Sequence, residues 1–257
     1  MSDFDGKVAL ITGGSSGIGE TIARLLAARG AMVAVVASSR IEKAQAVVDE
    51  INADGGQARA YAADVRAAKA VGDLIGAVKT DLGGVDILVN AAGVFYPTPI
   101  GETSPDDLDR MVDINLKGTW NVTQAVVPVL KARGGGKILN FASVAGVAGV
   151  RRFALYCATK ASIVMLTRVL GAELAPFNIN VNALAPGNTA TPMNEAVRTD
   201  PAHKAELEAM AAVTPSNVTF SDPNEIAEAG LYLLSAAARP VMGTTLVIDE
   251  GFSATLV

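Results

Sequence analysis

The chain has 257 residues, half of them hydrophobic and 18% charged, and its mean hydropathy is positive. That is ample material for one large core, and it excludes intrinsic disorder. The longest clean apolar runs, such as 31–37, fall far short of the roughly 18 residues needed to span a bilayer, so no membrane partner is expected. Twenty-six acidic against 21 basic residues, for a net charge of −5, leave no electrostatic footprint for nucleic acid, and a small-molecule partner is expected instead. One cysteine, Cys157, excludes an internal disulfide, and with the single histidine, His203, it cannot build a zinc site. The N-terminus carries Asp3 and Asp5 and lacks the basic and apolar parts of a secretory signal, so a cytoplasmic location is expected.

Short apolar, β-branched runs alternate with longer stretches of helical period, the pattern of a parallel sheet with crossover helices. Strands are predicted at Val8 to Thr12, Met32 to Ala37, Ala58 to Ala62, Ile87 to Asn90, Lys137 to Phe141 and Ile179 to Leu184, with a seventh near Thr245 to Asp249. Several are apolar at nearly every position, which suits strands covered on both faces. Helical periodicity runs over Ile18 to Arg29, Ile41 to Asp54, Asp106 to Arg133 and Phe153 to Ala175. Gly30 and Gly55-Gly56 follow the first two as stops. Ser104-Pro105-Asp106-Asp107 and Asp222-Pro223-Asn224-Glu225 each read as an N-cap, a proline at the first helical position and an acid in the first turn. No linker or repeat divides the chain, so residues 1–257 are read as one domain, with a Thr-, Pro- and Asn-rich excursion at about 188–221 that could cover a site.

Directly after the first strand comes Thr12-Gly13-Gly14-Ser15-Ser16-Gly17-Ile18-Gly19, and a helical pattern follows. Glycines there let the chain turn sharply and approach a pyrophosphate, and the helix presents free N–H groups to the anion. With 25 glycines the string G-x-x-x-G-x-G would occur by chance about 0.2 times, so its place between strand and helix carries the inference.

At these residues the sequence resembles the classical short-chain dehydrogenase/reductase family, whose glycine motif is T-G-x-x-x-G-I-G. The match holds at Thr12, Gly13, Gly17, Ile18 and Gly19. Asp64-Val65 follows the third strand, where the family contacts adenine, and Asn90-Ala91-Ala92-Gly93 matches its N-A-G motif. The resemblance runs from Lys7 to Gly251 and implies a Rossmann-type doubly wound parallel sheet of about seven strands flanked by helices, in a single α/β domain. It implies a nicotinamide dinucleotide held by Gly13, Ser15, Ser16, Ile18, Gly19, Asp64, Val65, Asn90, Ala92 and Gly93. Pro186, Gly187, Thr189 and Thr191 join them through the family's P-G-x-x-x-T motif.

Of four tyrosines only Tyr156 has a lysine four residues on, Lys160, and residues four apart share a helix face. A free phenol has a pKa near 10, and an adjacent ammonium lowers it. A surface pair on an amphipathic helix is the bland alternative. Order and spacing in the family decide between them, since Ser143 stands 13 residues before Tyr156 and Asn115 lies in Asp113-Ile114-Asn115-Leu116. The resemblance then implies Tyr156 as general acid/base and Lys160 as the group that lowers its pKa and bonds the nicotinamide ribose. Ser143 would position the substrate oxygen, and Asn115 would hold a water linking the lysine to solvent. Without a histidine beside it, Cys157 reads as a packed small side chain, His203 as part of a solvated helix face, and Trp120 and Met165 as core.

The second strand ends Ala37-Ser38-Ser39-Arg40 and has no acid to bond the adenine ribose. Ser38, Ser39 and Arg40 suit a 2′-phosphate, so NADP is expected over NAD. By family analogy Val144 to Phe153 and Val94 to Tyr96 line a mainly apolar pocket, apart from Arg151 and Arg152, that fits a neutral secondary alcohol or ketone. The resemblance also admits a 3-oxoacyl reductase acting on acyl carrier protein, but the helix positions that are basic in those enzymes look like Pro128 and Ala172 here. A dinucleotide-binding regulator is a further alternative, against which the intact Asn115, Ser143, Tyr156 and Lys160 set speaks. The resemblance implies a homo-oligomer, with a tetramer favoured, because long apolar helices of the Asp106 to Arg133 and Phe153 to Ala175 type form four-helix interfaces in the family. The tail reads Asp249-Glu250-Gly251 where the family has D-G-G.

Overall fold

In the computed structural model, which describes residues 3–255, the predicted strands are all present. They are β1 (Val8–Thr12), β2 (Met32–Ala37), β3 (Gln57–Ala62), β4 (Ile87–Asn90), β5 (Gly136–Phe141), β6 (Ile179–Pro186) and β7 (Thr245–Ile248). The helices are α1 (Gly17–Ala28), α2 (Ile41–Ala53), α3 (Ala68–Leu82), α4 (Pro105–Val112), α5 (Thr119–Ala132), α6 (Ala154–Leu174), α7 (Glu195–Thr199), α8 (Lys204–Ala212) and α9 (Pro223–Leu234). Seven parallel strands form one sheet in the order β3-β2-β1-β4-β5-β6-β7. The chain builds outward from β1 to β3 and then crosses back to place β4 on the other side of β1. At that switch the connections leaving β1 and β4 part, and a crevice opens at the carboxyl ends of the strands.

Strand burial explains the apolar runs. Every residue of β1, β4 and β6 is buried, because helices cover both faces of the sheet. Alternate residues serve opposite layers: Ala9 and Ile11 join Ile22, Leu26, Val47 and Leu231 of α1, α2 and α9. Val8 and Leu10 join Leu74, Val126 and Leu170 of α3, α5 and α6. Register then fixes what reaches the crevice, pairing Thr12 with Asn90 and Asn90 with Asn140 at the strand ends.

Both predicted proline starts are capping boxes. Ser104 Oγ accepts from Asp107 N–H at 3.1 Å, and Asp222 N–H donates to Glu225 Oε2 at 2.9 Å. The helix expected over Asp106 to Arg133 is instead α4, a wider π-helical stretch at Asp113–Gly118, and α5. Trp120 and Met165 are corrected outright. They are 47% and 55% exposed, because the helices that carry them are apolar on outward as well as inward faces. Among the described residues one helix, Ala154–Phe177, is long and apolar enough to cross a membrane, yet its inner face packs on the sheet through Ile163 and Leu170.

Candidate active site

The glycine loop closes tightly on the strand beside it. Gly13 has φ +67°, and a Cβ there would lie 2.7 Å from Ala92 N and 2.8 Å from the Ala91 carbonyl carbon. A Cβ on Gly19 would lie 2.4 Å from Gly13 O, so the first turn of α1 rests directly on the loop. Ser16 caps α1 in an extended conformation with no side-chain cap bond. Gly17, Ile18 and Gly19 precede the first helical bond, from Glu20 N–H to Ser16 O at 3.3 Å, so their amides have no helical partner and lie along the crevice, as an anion site requires.

A cavity of about 340 Å³ starts at this loop and runs along the strand ends. It brings together Gly13, Ser16, Ile18, Gly19, Ala92, Gly93, Ser143, Tyr156, Lys160, Pro186, Gly187, Thr189 and Thr191, all named from the sequence. The other named residues lie off it. Ser15 is half-buried in the loop, and Ser38, Ser39 and Arg40 are exposed at the end of β2, beside β1. Asp64 spends both carboxylate oxygens on Arg66, at 2.7–3.0 Å, and that partner holds its pKa below the usual carboxylate value. Val65 is buried and its carbonyl accepts from Asn121 Nδ2. Asn90 lies under the cavity, donating from Nδ2 to Thr123 Oγ1 at 3.0 Å and Asn140 Oδ1 at 2.9 Å. It braces β4 against β5 from within the sheet.

The end of the cavity that holds Tyr156 is assembled by two connections, β5 to β6 and β4 to β5. Ser143 leaves β5 at the start of a short turn, where its Oγ accepts from Ala145 N–H at 3.1 Å. A Cβ on Gly146 would lie 2.7 Å from the Lys160 carbonyl carbon, and only that close approach lets the turn lie against α6. Tyr156, in the first turn of α6, lies beside Ser143, whose hydroxyl favours its phenolate. One turn on, buried Lys160 donates from Nζ to Phe141 O at 2.6 Å and sits 5.7 Å from the Tyr156 ring centroid.

Asn115 holds this arrangement from the π-helical stretch. Its Oδ1 accepts from Val94 N–H at 2.8 Å, and its Nδ2 donates to Val94 O at 3.0 Å and Thr159 Oγ1 at 3.3 Å. Gly93 lies between Asn115 and Lys160: a Cβ there would be 3.3 Å from Asn115 Oδ1 and 3.9 Å from Lys160 Nζ.

The expected acidification of Tyr156 is not present in this arrangement. Burial pushes the phenol up to about 12, only partly opposed by the Ser143 hydroxyl. Burial likewise pushes Lys160 down to about 8. Desolvation outweighs mutual attraction here because Nζ is turned to the Phe141 carbonyl instead of the phenol oxygen.

The substrate side is more apolar than expected. Phe95 and Phe153 stack at 4.5 Å, and Phe95 meets Tyr156 edge-on at 4.8 Å. Val94, Val144 and Val150 line the cavity, but Tyr96, Arg151 and Arg152 do not. Tyr96 instead donates to Asp107 O at 2.8 Å. The excursion contributes Asn188, Met193, Asn194, Val197, Glu206 and Met210, none of them named from the sequence. Met193, Val197 and Met210 were visible as large apolar residues of the stretch, but so were Leu207, Val213, Val218 and Phe220, which do not line the cavity. His203 pairs with Glu206 at 3.0 Å, and half-buried Cys157 lies 3.9 Å from Val150 O.

The donor set fits a dinucleotide: unpartnered helix amides at one end, a glycine-floored channel too close for side chains, and a phenol with a buried ammonium at the other. Comparison with known proteins agrees. A family model described as short chain dehydrogenase matches residues 7–202. A D-threitol dehydrogenase of Mycolicibacterium smegmatis is 38% identical over 254 residues, covering 97% of this chain and 94% of that protein. The oxidoreductase UcpA of Escherichia coli strain K12 is 41% identical over 259 residues, covering 98% and 96%. A gluconate 5-dehydrogenase from Burkholderia cenocepacia J2315, crystallised with NADP and tartrate, matches with a TM-score of 0.92 at 35% identity over 99% of each chain. By its family match and these near full-length relatives, the chain belongs to the short-chain dehydrogenase family of oxidoreductases.

Proposed function

We propose that the protein is an NAD(P)-dependent oxidoreductase that interconverts a secondary alcohol and a ketone, with NADP preferred over NAD. The observation that carries this reading is the meeting of Ser143, Tyr156 and Lys160 at one end of a cavity whose other end is the glycine loop. When bound, the nicotinamide supplies a hydride to the carbonyl carbon or takes one from the carbinol carbon.

The residues manage everything else. Ser143 donates to the substrate oxygen and holds it beside Tyr156. Tyr156, protonated at neutral pH, gives its proton to that oxygen during reduction and takes it back during oxidation. The Lys160 ammonium lies under the ring and favours the phenolate left behind, while also serving the nicotinamide ribose. Asn115 Oδ1 keeps one lone pair beyond its bond to Val94 and holds the water that links Lys160 to solvent. Gly13, Ser15, Ser16, Ile18, Gly19, Ala92, Gly93, Pro186, Gly187, Thr189 and Thr191 hold the dinucleotide, with Asp64 and Val65 on the adenine side and Asn90 bracing the strand ends through Thr123 and Asn140. Phe95, Phe153, Met193 and Met210 favour a neutral substrate with an apolar body.

NADP preference rests on the exposed Ser38, Ser39 and Arg40 at the end of β2, where no acid faces a 2′-phosphate. Arg40→Ala should raise the KM for NADPH roughly tenfold and leave that for NADH within about twofold, as initial rates at each cofactor concentration will show. The excursion at 188–221 covers the substrate, and the chain works as a cytoplasmic homotetramer.

Absorbance at 340 nm tests the reading, using purified protein, NADPH or NADH, a panel of ketones and a matched panel of 3-oxoacyl thioesters. Turnover of free ketones with NADPH preferred is the expected result. A strong preference for thioesters would move the assignment to carrier-protein reduction, and dinucleotide binding without turnover of either panel would point to a regulator.

A further inference from the structure

The tail departs from the resembled pattern at one residue, and that residue sits in an unusual backbone conformation. Glu250 has φ +57°, a region glycine enters freely and a β-carbon resists. Its carboxylate reaches back to the excursion: Ser221 Oγ donates to Glu250 Oε1 at 2.9 Å, and Ser221 is 1% exposed.

Ser221 closes the excursion onto its own start. Its N–H donates to Asn188 O at 2.9 Å, and its carbonyl accepts from Ala190 N–H at 3.0 Å, so the two segments run side by side around Thr189. Those bonds bracket the residues that line the cavity between Gly187 and Thr191. The same stretch is held on its other side by Asn194 Nδ2, which donates to Thr189 O at 2.8 Å, and by Arg198, which donates to Thr191 O at 3.0 Å. Glu250 is thus the tie from this closed loop to the sheet edge. There Gly187 N–H donates to Ile248 O at 2.8 Å, and Asp249 accepts from the amides of Gly251 and Ser253.

We infer that Glu250 is a positioning residue, which clamps the base of the excursion through Ser221 and so sets Thr189 and Thr191 for dinucleotide binding. The inference rests on the proposed dinucleotide site, but the clamp itself is a property of the protein alone. A carboxylate kept in a glycine conformation gives up local stability for that bond. The clamp therefore predicts an inverted pattern: relieving the backbone should weaken binding without weakening the fold.

Glu250→Gly, Glu250→Gln and Ser221→Ala, each in the full chain, test this by three readouts. Amide hydrogen exchange at Ala190 and Ser221 reads the clamp without ligand, NADPH fluorescence titration reads binding, and thermal unfolding reads the fold. Glu250→Gly should speed both amides about tenfold and raise the dissociation constant for NADPH about fivefold, with Tm equal to or above that of the parent. Ser221→Ala should match it in exchange and binding, and Glu250→Gln, which keeps the acceptor oxygen, should restore both to parental values. Parental exchange and binding in Glu250→Gly, or a Glu250→Gln variant as impaired as Glu250→Gly, would overturn the inference. Should the parent protein bind no NADPH at all, the site reading fails, while the exchange data still decide whether the clamp exists.

Discussion

Burial acts on Tyr156 and Lys160 in the same sense, favouring the neutral form of each. The phenol, pushed up to about 12, is a proton donor across the physiological range, whereas the lysine, pushed down to about 8, keeps its charge only below that pH. The sign of the pH dependence follows. In the proposed mechanism reduction needs the protonated phenol and the ammonium that favours its conjugate base, and rising pH removes the ammonium first. With saturating cofactor, ketone reduction should be level at neutral pH and fall as pH rises through about 8, and Lys160→Met should lose that inflection together with most of its activity. A rate that climbs through the same interval would show that Lys160 does not titrate there. That these two residues share one helix face was legible in the sequence from their Tyr-x-x-x-Lys spacing. Their proton affinities were not, because desolvation depends on what covers them, namely the turn after β5 and the Phe95–Phe153 stack.

At the scale of elements, strands were legible because two-sided burial leaves an apolar, β-branched signature, as in Val8 to Thr12 and Ile179 to Leu184. The π-helical stretch was invisible, since apolar periodicity is too coarse to separate one widened turn from a regular helix. That turn is what aims Asn115 at Val94 and Thr159. Removing the amide leaves the half-buried N–H and C=O of Val94 without these partners, so Asn115→Ala should cost roughly 2 to 3 kcal/mol. For a chain of this size that lowers Tm by roughly 5 to 10 °C in a thermal melt. An unchanged melt would show that the bonds to Val94 do not stabilise the fold. The excursion was legible from its composition as a break in the strand–helix alternation, but which of its side chains face the cavity depends on long-range closure through Ser221, which no local pattern records.

For the whole molecule, the misreading of Trp120 and Met165 is informative. A single sequence shows that a helix position is apolar, not whether its own core or a second copy covers it. Leu108, Trp120, Met165 and Val169 leave α4, α5 and α6 with 42–55% exposed apolar residues, more than isolated solvent-facing helices present without reason. If those faces join copies, light scattering should give four times the 26.3 kDa chain mass. Trp120→Arg combined with Met165→Glu should lower that mass with the circular dichroism spectrum retained. A parent that scatters as a monomer would contradict the assembly.

The proposed reaction depends on the phenol acting as the proton donor beside a bound dinucleotide. The most direct test is single-turnover reduction of a ketone by NADPH at 340 nm, comparing the parent with Tyr156→Phe, each shown by fluorescence titration to bind the dinucleotide. The account predicts that Tyr156→Phe binds NADPH within about threefold of the parent while its rate falls by roughly 10³-fold or more. A variant that binds NADPH and still reduces the ketone at close to the parental rate would contradict it.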